Sequence, residues 1–258
     1  MPPQTDTDKE PRPFSDLSAF EDGDFNSLSP TCSKDPQYDE PRLRLRRKLA
    51  TLGKAFCAHA KGEGVALDAR TSLHRPYQFN GMQVRRMWVY LCRNKASKTK
   101  LRKVLGRDLA KDLDAAYRNA YLCVAVENEF LEVSLRIHAD AWFDGQNLKH
   151  RVERESDGLG GWLEQLNRLD GYFLRLADWK GEWRCGELKR ENLEEFLRYY
   201  KPGEHALAVE RRYPAPTGAR DGVLGEAVPA AIVGELERLV SLYRFSAWSD
   251  ESDFLFSS

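Results

Sequence analysis

The chain has 258 residues, and its 40 Lys or Arg are balanced by 40 Asp or Glu, so the formal net charge is zero. Hydrophobic residues make up 41% and charged residues 31%, which permits an ordinary core in one large domain or two small ones. No run reaches about 18 apolar residues, and the acidic start is the wrong type for a secretory signal. We therefore expect no membrane span and a cytoplasmic protein.

The charge is sorted along the chain although it cancels overall. Residues 42–111, which we call the basic module, contain nineteen Lys or Arg and three acidic residues, for a net charge of +16. Residues 1–40 contain ten acidic and three basic residues. A field of this kind attracts polyanions over roughly one Debye length, about 8 Å at physiological salt.

The cysteines give no sign of a disulfide framework. They are five in number and widely spaced, and no C-x-x-C pair occurs: Cys32, Cys57, Cys92, Cys123 and Cys185. This usage is typical of a reducing compartment.

The first forty residues combine Pro, Ser and Asp with isolated apolar side chains, which predicts a disordered acidic arm. Such an arm either keeps the chain in solution or docks on a partner or on the basic module. The first helix is predicted at about 42–60, because Leu45, Leu49, Leu52 and Phe56 recur at helical spacing.

The next elements are two extended segments, 65–73 and 82–93, and a very basic helix over about 98–119 that Gly106 interrupts. Residues 121–126 and 130–138 then predict a β-hairpin. Alternation along its second strand predicts a solvent-exposed face, made of Glu132, Ser134, Arg136 and His138.

The remaining pattern predicts helices near 146–155 and 161–169, a hairpin of 171–178 with 182–187, a helix at 188–200 and a strand at 205–213. A loop at 214–227 and a helix from about Pro229 to Trp248 follow. We predict an α+β fold with a mainly antiparallel sheet of two or more hairpins and several amphipathic helices. The globular domain would span 41–248, with a possible joint at 157–161 and an acidic-aromatic tail at 249–258.

Nucleic acid is the leading candidate ligand, because cations that follow a phosphate backbone are its main recognition element. The candidate cations are Arg85, Arg86, Arg93, Lys95, Lys98, Lys100, Arg102 and Lys103. In a strand, Arg86, Trp88 and Tyr90 would share one face. The two rings could stack on bases, although a place in the core is the simpler interpretation.

A second candidate is the sequence Glu187-Leu188-Lys189, preceded by Asp178. It resembles the signature of PD-(D/E)xK nucleases over about 40 residues. The resemblance implies that Asp178 and Glu187 would hold Mg²⁺ and that Lys189 would help to activate water. The chain departs from the family pattern because no Pro precedes Asp178 and because Lys189 could already belong to the next helix.

The main hypothesis is a non-enzymatic binding protein that holds a polyanion, above all nucleic acid, through the basic module and needs no cofactor. One alternative is the metal-dependent nuclease, with Mg²⁺ as its cofactor. The other is a protein-interaction or assembly module, in which the acidic tails bind a partner or the basic region receives an acidic protein. In an intramolecular version, the tails cover the basic surface and suppress its binding.

Overall fold

The computed structural model describes residues 14, 17–216 and 228–256 of the chain. Its α-helices are α1 (Asp22–Asn26), α2 (Asp39–Gly62), α3 (Lys95–Leu109), α4 (Trp142–Arg154), α5 (Gly158–Asn167), α6 (Arg190–Tyr199) and α7 (Val228–Ser246). Its strands are β1 (Leu67–Thr71), β2 (Arg86–Arg93), β3 (Tyr121–Glu127), β4 (Phe130–Ile137), β5 (Phe173–Leu176), β6 (Glu182–Arg184) and β7 (Leu207–Pro214). The predicted loop at 214–227 lies mostly outside the described residues.

One antiparallel sheet organises the molecule, in the order β1-β2-β3-β4-β7-β5-β6. Helix α2 packs on β1 and β2, and α7 packs on β3 and β4. Between these helices and the sheet lie alternate strand residues such as Val89, Val124 and Val133, each with no exposed surface. The predicted α+β class is confirmed.

Helix α2 forms where its apolar stripe predicted it. Leu45, Leu49 and Phe56 are fully buried against the sheet, and acidic residues occupy the first turn, where the helix dipole favours them. The helix also comes unusually close to β2 at Gly53, where an added Cβ would lie 2.7 Å from Cγ2 of Val89. A larger residue at position 53 would therefore push α2 away from the sheet.

The predicted disordered arm at 1–40 needs correction for the residues that the structure describes. Residues 17–40 contain helix α1, and Phe20, Phe25 and Leu28 are at most 3% exposed within the main core. These apolar residues are isolated in sequence but converge on α2, which supplies the surface that the arm lacks by itself. Residues 1–13, 15 and 16 lie outside the described residues.

The β3–β4 hairpin is confirmed, with Val126 opposite Leu131. The prediction of a solvent-exposed face is wrong in its centre, because Glu132 and Ser134 have no exposed surface. Arginine side chains from β2 and β4 lie over them, as described below.

The predicted joint at 157–161 is also wrong in its local structure. Gly158, Gly160 and Gly161 form the first turns of α5 rather than a flexible link. A Cβ at Gly158 would lie 2.3 Å from the carbonyl oxygen of Arg151, so close packing of α5 on α4 accounts for the glycine. Core residues from both sides of this point belong to one apolar cluster.

The predicted tail is packed on the domain near residues 254 and 255. Leu255 is 6% exposed, and the backbone N–H of Phe254 donates to Oδ1 of Asn147 at 2.8 Å. Residues 257 and 258 are not among the described ones. None of the helices in the described ranges combines the length and apolar character needed to cross a membrane.

Candidate polyanion-binding site

The eight cations predicted as a site do not share one environment. Arg93 and Lys98 are buried, Arg86 is partly exposed but paired with a buried carboxylate, and the other five are partly or fully exposed. The structure thus divides the candidate site between structural cations and surface cations.

Arg86 belongs to a charged network on the sheet face opposite α2 and α7. Its guanidinium donates to both carboxylate oxygens of Glu132 at 3.1 Å and also bonds to Glu127. Arg136 pairs with Glu132 at 2.8 Å and with Glu210 at 2.7 Å. Burial alone would raise the pKa of Glu132, but Arg136 and Arg86 lower it to about 2. Arg86 is therefore a structural partner of buried carboxylates, which corrects its predicted role.

Arg93 is likewise an internal cation. It is 3% exposed and forms an ion pair with Asp144, which has no exposed surface. Asp144 also accepts backbone hydrogen bonds from Ala120 at 2.6 Å and Trp248 at 2.8 Å. A long nucleic acid cannot reach Arg93 without opening this contact, so the predicted role in backbone binding is corrected.

Lys98 is the third corrected residue. It is 5% exposed, and its ammonium group donates to the backbone oxygen of Asp114 at 3.2 Å. This bond ties the segment after α3 to the helix.

The surface cations cluster on helix α3. The backbone at Gly106 has φ 78° and ψ 174°, so the helix is kinked there, as the sequence predicted. A shallow groove of about 490 Å³ lies at this part of the helix. It is lined by Thr99, Arg102, Lys103, Arg107, Ala110 and Lys111. We call it the α3 groove.

Three of the four cations of the α3 groove have no carboxylate partner within the described chain: Lys103, Arg107 and Lys111. Arg102 pairs with Asp114 at 3.1 Å, but the Asp114 side chain is 80% exposed. Exposed pairs of this kind contribute little free energy and open easily. The sequence reasoning included Arg102 and Lys103 but missed Arg107 and Lys111, although both belong to the same basic run.

Lys95, Lys100 and Arg85 lie outside the groove lining. Lys95 occupies the first turn of α3, and Lys100 pairs with Asp250 at 2.6 Å. Arg85 precedes β2, so the eight residues of that strand, roughly 26 Å, separate it from α3. Arg85 is exposed but cannot act together with the groove on a short ligand.

A second set of exposed cations lies along α2. Arg44, Arg47, Lys54 and Lys61 recur at helical spacing on the face turned away from the sheet. Arg47 lies 3.7 Å from Glu40, and the other three have no carboxylate partner among the residues described. The basic module therefore presents its charge on two different helices rather than on one continuous face.

Trp88 and Tyr90 lie on the sheet face predicted for them, beside Arg86. Their rings stack with centroids 3.6 Å apart, and the Tyr90 ring lies 4.1 Å from that of Tyr121. They border a small apolar cluster that contains Cys92 and Cys123 and are partly buried. The rings contact each other rather than standing apart as platforms for bases.

The nuclease-like residues lie in loops. Strand β6 ends at Arg184, and Glu187 follows it in a turn, where its carboxylate is 3.4 Å from the guanidinium of Arg184. Asp178 has a positive φ of 63° in an exposed turn, and Lys189 is the residue before α6. Over residues 17–216 and 228–256, no group of three or more His, Cys, Asp or Glu side chains could hold a metal ion.

Comparison with known proteins adds no further constraint on the site: no protein-family model matches the chain, and no curated protein matches its sequence.

Proposed function

We propose that this protein binds the phosphate backbone of nucleic acid through the α3 groove. The observation that carries the proposal is the convergence of Arg102, Lys103, Arg107 and Lys111 on one open groove, three of them without a carboxylate partner in the described chain. Unpaired surface cations release condensed counterions from a nucleic acid, which is the main source of affinity for its backbone.

The shape of the groove supports contact with an extended polymer. It is shallow and open to solvent, so a backbone can pass along it without entering a closed cavity. Its lining also contains small residues, Thr99 and Ala110, between the long cationic side chains. Contacts of this type position a nucleic acid but carry no sequence information.

Salt dependence gives the most direct test. Four neutralised phosphates on duplex DNA predict that log K falls with log salt at a slope of about −4. Electrophoretic mobility shifts of single- and double-stranded DNA and RNA would measure this slope. A complete lack of binding to all four at low salt would overturn the proposal.

A matched pair of triple variants would locate the binding. Lys103→Gln, Arg107→Gln and Lys111→Gln together should make the slope shallower by about 3, because each lost phosphate contact changes it by about one. The control carries Arg44→Gln, Lys54→Gln and Lys61→Gln on α2, with the same change in net charge. If both variants weaken binding equally, total charge rather than the α3 groove governs the affinity.

A further inference from the structure

A second cavity lies at the opposite end of α3 and is separate from the α3 groove. Its volume is about 570 Å³, and its walls come from residues 64–66, the first turns of α3, the end of α7 and residues 249–252. Four cationic side chains line it: Arg93, Lys100, Arg151 and Arg244. We call it the Arg93 pocket.

Three buried donor atoms, on two residues of this pocket, lack acceptors. Arg93 bonds to Asp144 through Nη2 and lies beside the Tyr243 hydroxyl, but its Nε and Nη1 have no acceptor in good hydrogen-bonding geometry among the described residues. Nε1 of Trp248, on the same cavity wall, is also buried without an acceptor there. Buried polar groups are nearly always paired, and a buried charged donor is the most costly exception. These atoms have almost no accessible surface, so a ligand oxygen would satisfy them after a small shift of the cavity wall.

The other cations are held in place around the cavity. Arg151 donates to the carbonyl oxygen of Phe245 at 3.2 Å and to Oγ of Ser252 at 3.3 Å. Arg244 bonds to the carbonyl oxygen of Glu63, and Lys100 is paired with Asp250. Nε of Arg151 also donates to Glu155 at 2.9 Å, so Nη2 of Arg151 and the unused donors of Arg244 are the groups available to a ligand.

The lining carries four cations against two carboxylates, Asp250 and Glu251. Two further carboxylates pair with its arginines, Asp144 with Arg93 and Glu155 with Arg151, so the attraction for an anion comes from donors that these pairs leave unused rather than from net charge. The N-terminal end of α3, a helix of 15 residues, also borders the cavity through Ser97. The partial positive charge of a helix N-terminus adds to the attraction.

We infer that the Arg93 pocket binds the phosphate group of a small organic molecule. Several guanidinium groups and a helix N-terminus are the usual partners of a tetrahedral oxyanion. The cavity is much larger than one phosphate and falls in the size range of ligand sites, so an organic group accompanies the anion. Tyr243, Trp248 and Val65 provide the less polar part of the wall.

The test measures binding of inorganic phosphate, phenyl phosphate and benzoate to the full chain by calorimetry and by thermal unfolding at constant ionic strength. Both phosphates should bind and raise the midpoint of unfolding, because a ligand that binds the folded state stabilises it. Phenyl phosphate should bind more tightly than inorganic phosphate and benzoate. No heat and no shift with either phosphate would overturn the inference, as would benzoate binding as tightly as phenyl phosphate.

Variants then place the binding in the pocket. Arg244→Gln should lower the affinity for phenyl phosphate about tenfold, since one charge-assisted hydrogen bond is lost. Arg93→Lys should also weaken it while keeping a positive charge beside Asp144, and circular dichroism would verify its folding. Lys54→Gln, on the outer face of α2, is the matched control and should bind normally. Unchanged affinity in Arg244→Gln, or an equal loss in Lys54→Gln, would contradict the assignment.

Discussion

The sheet network and the α3 groove use the same types of cation in opposite ways. Arg86 and Arg136 are partly exposed and lie over Glu132, which has no exposed surface and neutralises part of their charge. Lys103 and Arg107 lie on a helix surface, and no described carboxylate approaches them. Arg86 and the cations of the α3 groove all belong to the basic module, so their different roles arise from the carboxylates that the fold brings close to each of them.

The two regions should therefore respond to mutation in different ways. Loss of charge in the network should change the free energy of unfolding and leave nucleic-acid affinity unchanged. Loss of charge in the α3 groove should change affinity and salt dependence with little effect on stability. A variant that moves both quantities would show that the two regions are coupled.

The largest expected effect is that of Glu132→Gln. The substitution keeps the shape of the side chain but leaves Arg86 and Arg136 without their shared buried counter-charge, so we expect a loss of about 3 kcal/mol in unfolding free energy. Urea denaturation would measure it. The control is Asp114→Asn, which removes an 80% exposed partner of Arg102 and should change stability by less than about 0.5 kcal/mol. Equal losses of stability in the two variants would contradict the distinction between buried and exposed ion pairs.

Glu132 should also make the free energy of unfolding depend on pH. The pKa of Glu132 is lowered from 4.5 to about 2 by Arg136 and Arg86 acting against burial. A lowered folded-state pKa stabilises the protein above pH 4.5 and loses that contribution as the pH falls towards 2. The loss amounts to about 3 kcal/mol in full, at 1.36 kcal/mol per pKa unit.

Comparison with Glu132→Gln isolates this contribution from that of other carboxylates. The stability difference between the wild-type protein and the variant should shrink as urea titrations proceed from about pH 5 to about pH 3. A difference that stays constant over this range would mean that Glu132 titrates normally in the folded state.

Gly106→Ala tests whether the kink shapes the α3 groove. The backbone angles at Gly106 lie in a region that is nearly exclusive to glycine, so alanine should cost about 1–3 kcal/mol or straighten the helix. No atom lies within 4 Å of an added Cβ, so any cost comes from the backbone. Either outcome should alter the groove and weaken nucleic-acid binding, measured by mobility shift.

Gly234→Ala is the matched control for that experiment. Gly234 lies inside α7 with ordinary helical geometry, and an added Cβ there also meets no atom within 4 Å. Alanine should stabilise that helix by about 0.5–1 kcal/mol and leave nucleic-acid affinity unchanged. Normal nucleic-acid binding by Gly106→Ala would show that the kink is not required for the site.

The sequence predicted the local secondary structure of both regions, but it did not predict which distant residues pair with each other. Periodicity located α2 and the β3–β4 hairpin, and Gly106 indicated the interruption of α3, because these depend on neighbouring residues. The burial of Glu132 could not be predicted, since Arg86, which covers it, is 46 residues away in the chain. Arg93 is 51 residues from Asp144, so the same limit led sequence reasoning to place it on the surface.

The candidate site was predicted in part for the same reason. The dense basic run made Arg102 and Lys103 recognisable as candidate cations, and its continuation through Lys111 would have extended the set. Nothing in the sequence indicated the Arg93 pocket, because its walls come from segments that are far apart in the chain, among them residues 64–66 and 249–252. Trp248 and Arg93, far apart in the sequence, meet at Asp144, which accepts hydrogen bonds from both.

The smallest expected effect concerns competition between the acidic tail and the basic helix. Asp250 pairs with Lys100 at 2.6 Å, so a carboxylate of the chain itself already neutralises one cation near the N-terminal end of α3. Asp250→Asn would free Lys100 and should raise nucleic-acid affinity about two- to threefold at low salt, in line with the small free energies of exposed pairs. Mobility shifts would measure the change.

The control for this competition is Glu251→Gln, next to Asp250 but without a described salt-bridge partner. It removes one negative charge and leaves the Lys100 contact intact. If the Asp250–Lys100 pair suppresses binding, Asp250→Asn should raise the affinity more than Glu251→Gln does. Equal increases would mean that long-range repulsion by the tail, rather than this contact, limits the attraction of nucleic acid to α3.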